Sequence, residues 1–387
     1  MDFTKHYDLA VVGAGIAGVS AAVQAARCGK KVVLIEKTVW CGGLATTGLI
    51  YIYLPLCDGN GRQATGGIAE ELLHRSMKYG PGDVNPNWRM NRNGSEYERF
   101  RNVFSPASMI LALDEVLEEN GIDLWLDTVA AGVRIEDGRL AALTVCNKSG
   151  IGEISADAFI DATGDAQLFR QCGVSCHDSN NALAVWALEF RRHEKDPGTF
   201  GCGLGDEVFI FPKNSGSGLT GIDGRMVSRY MLDSRRILRE RYAAQEQDRH
   251  DRYPLMLAGM PQLRRIWSID AAHILGEDEA ETEFEDSIGM AGDWRKAGPV
   301  WEIPYRSLYA DDGPENLIAA GRITGAAGDA WEITRVIPTA ALTGQAAGMA
   351  AASSLDSGTS FRSLDVPALQ KKLHDAGVFL RRREIGL

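Results

Sequence analysis

A chain of 387 residues with 41 basic against 52 acidic side chains carries a net charge of −11, which disfavours nucleic acid and anionic bilayers as partners. At 45% hydrophobic and 24% charged, its composition excludes a disordered polymer and leaves room for two domains, or for one domain with a large insertion. Glycine, at 43 residues, is abundant enough to imply many close backbone approaches.

The opening "MDFTKHYDLAVVG" shows no basic leader, apolar run and cleavage site, and no apolar stretch reaches spanning length, so a cytoplasmic protein is expected. Residues 8 to 12, "DLAVV", form a short strand leading into "GAGIAG" and a helix that runs to Arg27 and closes at Gly29. "KVVLIEK" follows as a second strand, so the chain begins as a parallel, doubly wound α/β sheet. Residues 108 to 120 have helical spacing, and "DLWLDTVAAGVRIEDGRLAALTV" alternates around an Asp-Gly turn at 137 and 138, which predicts a β-meander. "ADAFIDATGDA", 156 to 166, is a buried strand running into a glycine turn.

Residues 184 to 213 alternate again, with "EVFIFP" as the clearest strand. From Met226 to Tyr242 the apolar spacing predicts an amphipathic helix whose other face, with Arg225, Arg229, Arg235, Arg236 and Arg239, reads as solvated. "ENLIAAGRITG", 315 to 325, is another buried strand with a glycine turn, and "RVIPTAALTGQAAGMAAA", 335 to 352, is a second small-residue helix. Seven cysteines, at 28, 41, 57, 146, 172, 176 and 202, include no Cys-x-x-Cys pair and read as small core fillers rather than a disulfide framework.

Gly13, Gly15 and Gly18 fit a dinucleotide crib: the first permits the tight turn, the second lets backbone approach pyrophosphate, and the third lets helix pack on strand. The helix N-terminus then faces the phosphates, and Glu36, ending the second strand, can accept from ribose hydroxyls. "CGGLATTG" at 41 to 48, "DATGD" at 161 to 165 and "AAGR" at 319 to 322 add three more turns at sheet ends, which implies a long cofactor.

These segments, with "ATGGIAEELL" (64 to 73) and "IPYRSLYADDGPENLIAAGR", resemble the glutathione-reductase-type FAD flavoproteins, and among them the flavin core of heterodisulfide reductase. The resemblance implies a Rossmann-like FAD-binding domain, a parallel sheet with a β-meander, formed by 1–168 and 315–360. A mixed β/α substrate or cap domain would be inserted at 169–314, and 361–387 would be a helical tail. It further implies that Gly13, Gly15, Ala17, Gly18, Glu36 and Lys37 hold the ADP portion, while Gly43, Leu44, Ala45 and Thr46 run beside ribityl and flavin. Val129 would meet the adenine edge, Ala162, Thr163 and Gly164 would back the pyrophosphate, and Gly321 and Arg322 would follow the ribityl chain. Pro338, in the first turn of the last helix, would aim unpaired N–H groups at the flavin pyrimidine, with Gly344 and Gly348 packing that helix close to the sheet.

The chain departs from that pattern where relatives carry iron–sulfur cysteine clusters, which it lacks, and where they carry His before the last helix, here Gly328 followed by Asp329. Of the Arg-rich stretch only Arg264 and Arg265 remain, and these read as structural. The catalytic candidates are His273, titratable near neutrality, Arg335, able to neutralise reduced flavin or a substrate carboxylate or else to hold its loop, and Glu332, which with Trp331 would wall the pocket. The expected function is hydride transfer between a small organic substrate and non-covalently bound FAD, with no metal. The alternatives are an electron-transfer flavoprotein subunit serving a redox partner protein and an NAD-binding regulatory protein. Homo-oligomerisation stays open.

Overall fold

The computed structural model describes residues 2–84, 102–178, 181, 183–191, 206–210 and 219–387; positions 192–205, Cys202 among them, and 211–213 of the alternating run lie outside them. The chain opens with β1 (His6–Val12), α1 (Ile16–Arg27) and β2 (Val32–Ile35). Short β3 (Ile52–Tyr53) and β4 (Asn102–Val103) pair antiparallel and flank α2 (Ile68–Ser76), and α3 (Pro106–Glu119) then leads to β5 (Asp123–Trp125). The meander is β6 (Val129–Glu136), β7 (Arg139–Asn147) and β8 (Gly150–Asp161), turning at Asp137 and Gly138, both with positive φ.

After α4 (Gln167–Gln171) and β9 (Cys176–Asp178) come β10 (Val185–Arg191), β11 (Asp206–Ile210), α5 (Gly224–Ala243), β12 (Arg252–Leu257) and β13 (Trp267–Ile269). A hairpin of β14 (Ser287–Gly292) and β15 (Val300–Pro304) precedes β16 (Leu317–Ala319), α6 (Gly328–Thr334), α7 (Ile337–Ser357) and α8 (Val366–Asp375).

The main sheet runs β5-β2-β1-β8-β7-β6, with β16 also on β8. β8 is long enough to serve two neighbours on one edge: its first half pairs antiparallel with β7 (Asn147 opposite Gly150), its end parallel with β16 (Ala319 opposite Asp161). The meander therefore branches from the strand that carries the parallel sheet. β1, β2, β8 and β16 all run parallel, so the turns after Val12, Ile35, Asp161 and Ala319 emerge on one edge. That edge is where open α/β sheets hold ligands.

The expectation that Gly344 and Gly348 face the sheet is corrected. A Cβ at Gly344 would lie 2.1 Å from the Ala17 carbonyl oxygen, and one at Gly348 2.3 Å from that of Ala21, so these glycines seat α7 against α1. Gln345 adds a buried bond to Gln24 (3.0 Å) and accepts from the Ile68 N–H (2.9 Å). The small-residue helix thus braces the crib helix, a contact between elements some three hundred residues apart.

The main core joins α1 and α7 to Ile288, Trp301 and Ile303 of the β14–β15 hairpin and to Leu369 and Leu373 of α8. The hairpin, placed by expectation in the insertion, shares the cofactor domain's core, and the C-terminal tail is docked on it. Separate small cores form at Val185, Ala187 and Leu238 and at Tyr230, Leu263 and Ile266. The β10–β12 sheet and α5 thus carry small cores of their own, while Leu188 of β10 belongs to the main core. Among the described residues no helix is long and apolar enough to cross a membrane.

Candidate functional site

Turns from four parallel strands close around a cleft. Gly13 (φ +95°) makes the first turn, and a Cβ there would sit 2.6 Å from the Ala162 carbonyl oxygen of the neighbouring turn. At Gly18 a Cβ would be 1.8 Å from the Gly13 oxygen, so this glycine packs α1 on the turn and does not line the cleft. A Cβ at Gly15 would meet nothing within 4 Å: the space before α1 is open, and Gly15 is an N-cap without a side-chain bond. An uncapped helix start facing open space suits a phosphate.

Glu36 bridges the turn. Its carboxylate accepts from the Ala14 N–H (2.8 Å) and from the Thr38 N–H and hydroxyl (2.9 Å each), which fixes it at the cleft wall with lone pairs to spare. Gly15 and Gly42 form an isolated bridge that brings the 41–48 loop beside the helix start. Arg322 crosses beneath Gly164, donating to its carbonyl (2.7 Å) and to that of Leu263 (3.2 Å), and burial pushes its guanidinium down to about 10. It stays a cation at neutral pH, with no ion-pair carboxylate among the described residues.

Of the residues expected to hold cofactor, Gly13, Gly15, Ala17, Glu36, Lys37, Gly43, Leu44, Ala45, Ala162, Thr163, Gly164, Gly321 and Arg322 converge on this cleft. Thr46 does not: its hydroxyl turns inward to the Cys41 carbonyl (2.6 Å). Thr47 lines the wall instead, with a buried hydroxyl oxygen that has no partner. Val129 lies beyond the rim at 47% exposure, just after Thr128, whose N–H donates to the Glu36 carbonyl. Pro338 is buried in the first turn of α7, and its neighbours Ile337 and Ala340 present that turn to the cleft. Met260, from the loop after β12, is a wall residue that no motif signals.

The cleft fits an extended dinucleotide carrying a ring system. It combines an open phosphate position before α1, a carboxylate fixed beside that turn, an unpartnered hydroxyl on Thr47 and a second helix start without a side-chain cap at α7.

A second chamber adjoins the first, sharing Leu44, Arg335 and Ile337 as common walls. Ile50, Ile52 and Leu54 face it while Tyr51 and Tyr53, alternating with them, are buried in the core. Trp186, Trp294, Arg264, Arg265 and Glu332 line other parts of the wall. Asn181 clamps the 264–265 backbone, accepting from both N–H groups (3.2 and 3.0 Å). Gln262 donates to the Gly48 carbonyl (2.6 Å) and accepts from the Trp186 N–H (2.8 Å), latching the insertion to the cofactor loop.

Arg335 stands where cleft and chamber meet. Its Nε donates to Glu332 (2.9 Å), Arg265 reaches the other Glu332 oxygen (3.4 Å), and burial pulls the Arg335 guanidinium below its ordinary range. Glu332 is thus engaged by two cations and positions them. Trp331 does not wall the chamber; its indole N–H donates to the Arg322 carbonyl (2.8 Å).

His273 is corrected. It lines neither cavity, lies 3.1 Å from a Glu279 oxygen and packs edge-on against Phe284 at 5.2 Å, which makes it a fixture of the segment before β14. No disulfide joins the six described cysteines, and burial pushes the Cys176 thiol up to about 11.

A model of the FAD dependent oxidoreductase family matches residues 8–184 and 250–373. Among curated proteins, a digeranylgeranylglycerophospholipid reductase of Thermoplasma volcanium is 26% identical over 232 residues, covering 56% of each chain. A dihydrolipoyl dehydrogenase of Corynebacterium glutamicum is 27% identical over 147 residues, 37% of this chain and 28% of that protein. The match to the archaeal reductase spans little more than half of its length. Among solved structures, a geranylgeranyl bacteriochlorophyll reductase-like protein of Thermoplasma acidophilum is 17% identical, with a TM-score of 0.44, covering 96% of this chain and 83% of that one.

Proposed function

The chain belongs to the FAD dependent oxidoreductase family, and we propose that it transfers a hydride between FAD, held non-covalently in the cleft, and an organic substrate held in the adjoining chamber. The observation that carries this is the shared wall: Leu44, Arg335 and Ile337 border both spaces, so a ring system at that end of the cleft would face the chamber. The α1 N-terminus would hold the pyrophosphate and Glu36 the ribose, with Arg322 along the connecting chain. Val129, outside the cleft wall, is left with at most a rim contact to the adenine.

Bound FAD supplies the two-electron chemistry. The protein's own part is positioning and charge. The first turn of α7, presented by Ile337 and Ala340, would turn its unbonded N–H groups toward negative charge developing on the cofactor, and Arg335, held by Glu332, would add part of its positive charge there. Glu332 holds Arg335 and Arg265 in place and is not free to move a proton. Trp186 and Trp294 give the chamber wall broad apolar faces.

A cytoplasmic setting and kinship to the flavin core of heterodisulfide reductase are part of the same proposal. The test is to purify the chain, record its visible spectrum, and titrate it anaerobically with candidate donors. A yellow protein that a donor bleaches is the expected result, with Arg335→Met slowing reduction by about a hundredfold while retaining cofactor. A colourless chain that takes up no FAD overturns the proposal.

A further inference from the structure

The chamber's charges do not balance. Arg264, Arg265 and Arg335 line it, and the acidic residue of its wall is Glu332, already shared between Arg265 and Arg335. Arg264 has no carboxylate within ion-pairing distance among the described residues. It donates to the Gln262 carbonyl (2.6 Å) and lies over the Trp186 ring, 5.2 Å from its centroid. Arg335 and Arg322 add their own positive fields, and burial with these neighbours pulls the Arg264 guanidinium down to about 10, still a cation at neutral pH. A cation enclosed with other cations is costly unless a counter-ion arrives. The backbone clamp by Asn181 and the indole beneath hold it in place nonetheless.

Apart from Asn181 and Gln262, whose side-chain amides are engaged by backbone groups, the rest of the wall is apolar: Ile50, Ile52 and Leu54 project along one face, and Trp294 and Val336 continue it. Such a surface gains from burying carbon and has few groups for a polyhydroxylated ligand. We infer that the chamber receives a substrate with an apolar carbon body and an anionic end, the body lying along Ile50, Ile52 and Leu54 and the anion seated at Arg264. This rests on the proposed function for its location beside the cofactor, though not for its chemistry. Arg264 is a specificity residue here, and Arg335, next to it, belongs to both ligands.

The test is equilibrium binding to the purified protein, saturated with FAD where it takes FAD up, below micelle-forming concentrations, of four probes: decanoate, decyl phosphate, decan-1-ol and acetate. One anionic amphiphile is expected to bind one per chain, about tenfold or more tighter than decan-1-ol or acetate, and whichever of decanoate and decyl phosphate binds tighter names the head group. Arg264→Met is expected to erase the preference over decan-1-ol, leave decan-1-ol affinity unchanged, and hold or raise the melting temperature of the probe-free protein.

Decan-1-ol binding as tightly as both anionic amphiphiles overturns the anionic half, and acetate matching them overturns the apolar half. Retention of the preference in Arg264→Met overturns the residue assignment. Should that variant fail to fold, the wild-type ranking still decides. A colourless chain that ranks the probes as expected sinks the redox proposal alone, whereas a yellow, donor-reducible protein indifferent to probe charge sinks only this inference.

Discussion

Gly13, Gly15 and Gly18 stand close together in the chain yet do different physical work, and they separate cofactor binding from folding. Gly15→Val places a side chain where no protein atom lies within 4 Å, so the melting temperature of the cofactor-free chain should change little while FAD uptake is lost. Gly18→Ala forces a Cβ to 1.8 Å from the Gly13 oxygen and should lower stability by about 1–3 kcal/mol, read by urea unfolding. If Gly15→Val retains full cofactor, the phosphate is not at the α1 start.

Asp161 closes β8 and organises the next turn, accepting from the Thr163 N–H (3.0 Å) and hydroxyl (2.6 Å) and from the Leu168 N–H (2.8 Å). Burial, partly offset by those bonds, pushes its carboxyl up to about 6 from 3.8. The folded state then binds this proton more tightly than the unfolded one, so its stabilisation is complete below about pH 4 and lost as pH rises through about 6. That loss is roughly 3 kcal/mol, and the Asp161→Asn variant should lack it when its unfolding free energy is followed across that range. An unchanged pH slope in the variant would refute the assignment.

At the scale of elements, α7 has two tasks that meet along its length. Its first turn faces the cleft, and two turns later Gly344 holds it against Ala17 of α1, itself a cleft residue. Gly344→Val should therefore cost about 1–3 kcal/mol in stability and also release cofactor, because parting the helices moves both walls. Loss of stability with cofactor content and affinity unchanged would show that the helix only packs. The strands and helices themselves were legible in the chain: the 3.6-residue spacing of α3 and α5 and the Asp-Gly turn of the meander are short-range signals. What α7 packs against was not, because a run of Ala and Gly fits closely on a helix or on a sheet.

For the molecule as a whole, β10 is fastened to the 41–48 loop through Gln262, which is buried between Gly48 and Trp186. Gln262→Ala leaves a carbonyl and an N–H unpaired at that seam, a penalty of about 1–3 kcal/mol each where they stay dry. The expected outcome is faster amide hydrogen exchange in β10 and the loop before β13, with cofactor content largely retained and chamber-probe binding weakened. Exchange unchanged across that seam would mean that the latch does not hold the two parts together.

By itself the amino-acid order determined the turns that line the first cleft almost residue by residue. Each of its turns is a local backbone requirement written next to the strand it follows, and parallel pairing of those strands then brings the turns to one edge. Only the tertiary structure decided which side of each loop faces inward, so that Thr47 replaces Thr46, and which distant side chains share a space. His273 was drawn off to Glu279, while Arg264 and Arg265, unremarkable in the chain, met Arg335 and Ile52 around a second chamber. Charge and apolar surface far apart in sequence acquire chemical meaning once packing puts them on facing walls, and no local spacing records that encounter.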